Sequence, residues 1–335
     1  MRLVLHIGAG KCGSSAIQFF LARNASTLRA RGVLVPDKNL ATTGNISGEQ
    51  AFLFQEARAA ACPATFARAK FAAIKKEMSS ANLHTVVVSA ENLMNEDAFA
   101  GACAPAAEVF DDVQIVSYIR RQDDFLISAW CQWWFKMYAS LGEYIGNSAK
   151  HAANWSRIMK PWEDIFGAKR IAVRLFQSGS LVNNDIVDDF ADAAGISRDG
   201  CVPNPQKANV ALNEILVEIA HDIREIFVSP HDVKFLQLAS NILGESAVKA
   251  HRGSTLLSLE QRRDIMSYYD ACNREIKQRY FADIPAHEPL FREPSPDDVI
   301  TLSSEQKAKM RELLMLQLLK GLTRMAQDNK AVAVH

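Results

Sequence analysis

The stretch Leu3-Val-Leu-His-Ile-Gly-Ala-Gly-Lys-Cys-Gly-Ser-Ser-Ala-Ile-Gln18 constrains the fold of this chain more than any other. A short apolar run ends in a loop holding Gly8, Ala9, Gly10, Lys11, Cys12 and Gly13, and two hydroxyls, Ser14 and Ser15, lead into a helical pattern. Strand, glycine loop and helix in that order open a parallel α/β sheet. They gather backbone N–H groups, a helix N-terminus and one ammonium about a single point suited to a phosphate or sulfate group.

The rest of the first half repeats the alternation. Apolar runs at Val33–Val35, Thr85–Ser89, Val113–Ile119 and Arg170–Phe176 read as strands. Between them, Ser14–Ala30, an alanine-rich stretch over about 50–80, Pro105–Phe110 and Trp155–Phe166 read as helices, with 36–50 as a loop. Asp123 is placed to cap a further helix carrying Ser128, Trp130, Trp133 and Trp134. Strands separated by helices imply a parallel sheet of about five strands with helices on both faces. Beyond about residue 180 the pattern is helical: Asp185–Ala194, an apolar face of Leu212, Ile215, Ile219, Ile223 and Phe227, then Leu259–Tyr280 and Gln306–Met325. The expectation is one domain over 1–328. Residues 1–180 form a nucleotide-binding α/β core, 181–328 a mainly helical cover, and 329–335 a flexible tail.

Lysine plus arginine equals aspartate plus glutamate, 38 each, so nothing in the overall charge attracts nucleic acid or anionic lipid. No apolar run approaches the roughly 20 residues of a membrane span. The N-terminal run flows straight into the glycine loop and reads as a strand, not a signal peptide. The six cysteines include no C-x-x-C pair, which argues against zinc and disulfides and fits a reducing, cytoplasmic compartment.

The loop departs from the triphosphate pattern G-x-x-x-x-G-K-[ST], because Lys11 precedes Gly13. No strand ends in a carboxylate placed for magnesium, although Glu91 lies near one end. His6–Gln18 resembles the 5′-phosphosulfate loop of sulfotransferases that use 3′-phosphoadenylyl sulfate (PAPS), a family whose bacterial members are also resembled by two further stretches. Tyr118-Ile-Arg-Arg-Gln-Asp-Asp-Phe-Leu-Ile-Ser-Ala-Trp130 is similar to the family's 3′-phosphate site, a strand-end arginine followed eight residues later by a serine, here Arg120 and Ser128. Trp162–Val173 and the Tyr269…Asn273 spacing within Leu259–Phe281 extend the likeness over most of 3–281. The resemblance implies a P-loop-like fold and metal-free transfer of a sulfuryl group from PAPS, leaving 3′-phosphoadenosine 5′-phosphate (PAP). It implies that Ala9, Gly10, Lys11, Cys12, Gly13, Ser14 and Ser15 hold the phosphosulfate and that Arg120 and Ser128 hold the 3′-phosphate. Lys11 also stabilises the leaving group, and Glu91, at a place comparable to a glutamate of glycan sulfotransferases, serves as general base.

Several residues carry more than one reading. Arg121 is the rival of Arg120 if the register shifts by one. His6 and His84 are alternative bases, though His6, inside a strand, reads more as a core histidine. The Trp130/Trp133/Trp134/Tyr138 group reads as core in preference to a sugar-stacking platform. Cys12 lacks the family's hydroxyl and, at a helix N-terminus beside Lys11, reads as a reactive thiol. Arg252-Gly253 reads as a late loop touching the nucleotide. The acceptor is expected to be a hydroxylated small molecule, a glycan or a lipid-linked glycan, met by loops within 36–60 and 135–155. An ATP-dependent kinase with an atypical loop and a non-catalytic nucleotide-binding scaffold remain open as alternatives.

Overall fold

The strand β1 (Arg2–His6) is buried along nearly its whole length, as its unbroken apolar run requires. Beside it lie β2 (Val33–Leu34), β3 (Thr85–Ser89), β4 (Asp112–Ile119) and β5 (Ile171–Leu175). All pair in parallel, in the order β2-β3-β1-β4-β5. The computed structural model describes residues 1–36, 63–94, 97–148, 151–204, 212–244, 248 and 254–332. Most of the expected 36–50 loop, the start of the alanine-rich helix and Arg252-Gly253 lie outside those residues.

The helices, in chain order, are α1 (Ser14–Arg23), α2 (Ala25–Arg29), α3 (Pro63–Ser80), α4 (Asp97–Cys103), α5 (Ala106–Val109), α6 (Gln122–Gln132) and α7 (Leu141–Ser148). They continue with α8 (Trp155–Phe166), α9 (Ile186–Ala194), α10 (Glu214–Asp222), α11 (Lys234–Leu243), α12 (Leu259–Tyr268), α13 (Asp270–Tyr280) and α14 (Ser304–Val332). The chain divides into two compact units, each assembled from separate stretches. Unit 1 comprises Met1–Phe125, Lys150–Asn209 and Tyr268–Arg292; unit 2 comprises Leu126–Ala149, Val210–Ser267 and Glu293–His335.

Unit 1 holds the sheet, with helices on both of its faces. α1 packs with α9, while α3, α4, α5, α8 and α13 form a second packed group. After β1 the chain crosses to β2, returns through β3, then passes to β4 on the other side of β1. That reversal puts a crevice at the carboxyl ends of β1 and its neighbours, where open α/β sheets bind ligands. Unit 2 is all helix among its described elements, built on Ile215, Leu216, Ile219, Leu236, Ala239 and Leu318.

Five expectations change. The helix expected over Ser14–Ala30 breaks at Asn24, whose amide bonds the Phe20 carbonyl and both backbone groups of Val202. The helix expected over Leu259–Tyr280 is two helices meeting at the buried Tyr269. Asp123 lies inside the first turn of α6, where its carboxylate receives Arg121. Trp133 and Trp134 fall beyond the end of α6, with Trp134–Lys136 forming a 3₁₀ turn. Gly142 and Gly146 disguised α7 as loop.

Candidate anion-binding site

The loop after β1 is held in a conformation few residues tolerate. Gly8, Lys11 and Gly13 all have positive φ, at 32°, 66° and 85°. For Lys11, a residue with a Cβ, this costs on the order of 1–3 kcal/mol and marks a position the surroundings enforce. At Gly13 a side chain would meet Ile186 Cγ1 at 2.7 Å and Phe176 Cε2 at 3.0 Å, so conformation and space both demand glycine. The Cys12 amide donates to the Ala9 carbonyl (3.2 Å), closing a turn, and the Gly13 carbonyl accepts from Ala16 and Ile17 to start α1. Helix geometry leaves the first amides of α1 without intrahelical acceptors, aimed past Gly13 with the positive end of the helix dipole behind them. Ser14 is buried at this end, while Lys11 and Ser15 are partly exposed.

The register brings a second cation to the same place. His6 pairs with Val116 of β4, and the Ile7 amide donates to the Val116 carbonyl (3.0 Å). β4 runs three residues further and delivers Arg120 beside the loop, where its Nη1 donates to the Lys11 carbonyl (3.1 Å). The guanidinium lies 5.7 Å from the Phe176 ring centroid. The Arg120 carbonyl is tied down by Trp155 Nε1 (2.9 Å). Among the described residues no carboxylate pairs with Arg120, so its charge is left available. Arg121, the rival, is buried and forms a bidentate pair with Asp123 (2.6 and 2.9 Å), with Asp124 at 3.4 Å. Its charge is satisfied inside the protein.

The three candidate bases separate by position. The Ala90 amide donates to the His6 carbonyl (2.9 Å), so Glu91 leaves the sheet next to the glycine loop and begins a 3₁₀ turn, Glu91–Met94. His6 is fully buried, bonded through Nδ1 to Ser89 Oγ (2.7 Å) and packed edge-on against Tyr118 and Phe190. Burial drops its pKa to about 3, which keeps the ring neutral. His84 precedes β3 at the opposite, amino edge of the sheet and bonds the Arg31 carbonyl (3.1 Å). It is too far along the strand to serve the loop.

Cys12 is buried, so the reactive thiol expected from its place in the sequence is sealed from solvent reagents. Ser128 sits on the part of α6 that belongs to unit 2, partly exposed. In unit 2, Trp130 is buried against Tyr144 and His221, and Trp134 stacks on Tyr144 (5.9 Å, 20°), so the aromatic group forms a packed cluster. The same unit has a largely apolar cavity of about 300 Å³, lined by Leu141, Ile145, Leu256, Leu257 and Ile265 with Gln261 and Asp264. Among the described residues no cluster of three His, Cys, Asp or Glu side chains is placed to hold a metal. Nor is any described helix long and apolar enough to cross a membrane.

Sequence reading missed the groups that aim Arg120. Phe176 and Trp155 come from other strands and helices and carry no local signal. Gln122 and Asn273 form a buried reciprocal amide pair (2.6 and 3.2 Å) that fixes the start of α6 to α13. The Tyr269…Asn273 spacing was legible; its partner was not.

No protein-family model matches the chain, and no curated protein sequence matches it. Two solved structures are similar. One is a sulfotransferase from Alicyclobacillus acidocaldarius, 14% identical, with a TM-score of 0.39 over 70% of this chain and 95% of that one. The other is the sulfotransferase domain of the Synechococcus PCC 7002 olefin synthase, 13% identical, with a TM-score of 0.36 over 72% of this chain and 94% of that one.

Proposed function

We propose that this chain is a PAPS-dependent sulfotransferase acting on an acceptor hydroxyl, with a glycan or lipid-linked glycan as the favoured acceptor class. The observation that carries the reading is the convergence of two strand ends: Arg120, without a carboxylate partner among the described residues, donates to the carbonyl of Lys11 in the strained glycine loop. A loop lysine, a helix N-terminus and a strand-end guanidinium in one crevice suit a ligand with two separated anionic groups.

In this reading Ala9, Gly10, Gly13, Ser14 and Ser15 hold the 5′-phosphosulfate through backbone N–H groups and hydroxyls, and Cys12, whose amide closes the turn onto Ala9, shapes the loop around it. Arg120 grips the 3′-phosphate, and Ser128 keeps the part its sequence motif assigns. Glu91 accepts the acceptor's hydroxyl proton as the new O–S bond forms. The S–O bond to the nucleotide breaks, and Lys11 with the α1 N-terminus stabilises the charge on the departing phosphate oxygen. No step calls for a metal.

Calorimetric titration with PAP, and separately with ATP and magnesium, tests the donor. Micromolar PAP binding that Arg120→Ala weakens by about 10- to 100-fold supports sulfuryl transfer. Binding of magnesium–ATP with indifference to PAP overturns it in favour of a kinase. With labelled PAPS and a panel of glycans, Lys11→Ala should lose transfer by about 100- to 1,000-fold. PAP binding with no transfer to any acceptor would instead fit a nucleotide-binding scaffold.

A further inference from the structure

The last rung of the β1–β3 ladder carries more than a ladder needs. His6 and Ser89 are the final register partners of the two strands. Past them both chains leave the sheet, one into the glycine loop and the other through Ala90 into the Glu91–Met94 turn. Both side chains are fully buried, and His6 Nδ1 shares a hydrogen bond with Ser89 Oγ (2.7 Å). The peptide unit that follows is gripped at both ends. Its Ala90 amide donates to the His6 carbonyl (2.9 Å), and its Ser89 carbonyl accepts from Nε2 of Gln18, a fully buried residue of α1 (3.4 Å). Thus β1, β3 and the helix whose N-terminus faces the anion cradle meet at one peptide, directly before Glu91.

Stability alone does not account for the histidine. Its ring is fully buried, edge-on against Tyr118 and Phe190, and among the described residues its Nε2 meets no hydrogen-bond partner. A buried polar atom left unpaired costs free energy that an apolar side chain would not, and every other residue of Leu3–Ile7 is apolar. What the imidazole adds is direction. A hydrogen bond has a required angle as well as a distance, so a buried one fixes two strand ends that would otherwise fray.

We propose that His6 is a positioning residue: through Ser89, with Gln18 gripping the same peptide from α1, it holds the Glu91 turn at a fixed place relative to the glycine loop. The role rests on Glu91 being the base of the proposed transfer, whereas the clamp can be measured without turnover.

Hydrogen exchange on the ligand-free full chain measures the clamp. In the wild type the Ala90 and Leu93 amides are bonded to the His6 and Ala90 carbonyls. In His6→Leu both should exchange about 10-fold faster or more, with β4 and β5 unchanged. Ser89→Ala should do the same, and decides the matter if His6→Leu does not fold. Asparagine sets an amide where Nδ1 stands, so His6→Asn should rescue the protection. Labelled PAPS reads the consequence. His6→Leu should lower kcat by about 10- to 100-fold, the cost of a misplaced group, while PAP affinity by calorimetry stays within about 2-fold. In a Glu91→Gln background the same change should lower kcat no further. Unchanged exchange at Ala90 and Leu93 in both variants overturns the clamp. Faster exchange with kcat unmoved, or an equal loss of kcat in the Glu91→Gln background, overturns the positioning role. A wild type that transfers nothing from PAPS is instead the failure of the transfer reading; the exchange result still decides the clamp.

Discussion

At the amino edge of the sheet in unit 1, cations meet carboxylates. The N-terminal ammonium pairs with Asp111, and Arg2 pairs with Asp112 (3.2 Å) while donating to the Ala194 carbonyl (2.8 Å). His84 is likewise occupied, between Thr85 and the Arg31 carbonyl. At the carboxyl edge, Arg120 meets a neutral carbonyl and an aromatic ring, and the backbone is bent into positive φ at three loop positions. One edge neutralises its charge; the other leaves the Arg120 guanidinium without a carboxylate among the described residues, beside a loop that holds a lysine at positive φ. Such a contrast within one sheet separates structural polar groups from those poised for a ligand.

The largest expected effect sets the two edges directly against each other. Glu91→Gln, at the carboxyl edge, should lower kcat by about 100- to 10,000-fold, the range for loss of a general base. His84→Ala, at the amino edge, should leave kcat unchanged. Steady-state rates with labelled PAPS measure both, and a dependence on His84 without one on Glu91 would reverse the assignment of the working edge.

The adjacent arginines sharpen the same contrast within two residues. Arg121→Ala removes the bidentate cation from the buried Asp123 carboxylate and should cost about 3–5 kcal/mol of stability in urea unfolding. Arg120→Ala should change stability by no more than about 0.5 kcal/mol while weakening PAP by about 10- to 100-fold, the worth of a lost charged hydrogen bond. Equal loss of stability in both variants would mean that Arg120 is another structural pair.

These two arginines also show what the sequence could and could not carry. The strand–loop–helix order, the five parallel strands and the end of β4 were legible because apolar period and glycine placement are local signals. The spacing to Ser128 favoured Arg120 over Arg121, but the inward pairing of Arg121 with Asp123 was not legible, since it depends on how the side chain turns in the folded chain. Phe176, Trp155 and the Gln122–Asn273 pair were illegible for the same reason: each acts across the fold. Asn24 and Tyr269 broke expected helices because a tertiary hydrogen-bond set and a buried ring outweighed helical periodicity.

His6 lies just behind the loop and gives a smaller, pH-dependent test. Its folded pKa, about 3, is below the unfolded value near 6.5, so the unfolded chain takes up the proton first. The stability this neutral ring permits is complete above about pH 6.5 and falls by about 1.4 kcal/mol per unit as the pH drops toward 3. Urea midpoints should therefore decline below pH 6.5, and His6→Gln should remove this component. An unchanged slope in His6→Gln would place the acid sensitivity elsewhere.

Cys12 offers the finest distinction, because its side chain, where a hydroxyl would donate well, is a buried thiol. Its amide already serves the turn by donating to Ala9, so replacing the side chain leaves the loop's geometry in place. A thiol donates weakly; a hydroxyl of similar size donates well. If the side chain at this position faces the ligand, Cys12→Ser should tighten PAP binding by about 2- to 10-fold, the net value of one added hydrogen bond. If it faces the core, burying the more polar hydroxyl costs stability, and the variant should gain no affinity. Calorimetry and urea unfolding on the same preparation tell the outcomes apart. The second would confine the carboxyl edge's ligand contacts to its backbone, Lys11, Arg120 and the serines that follow.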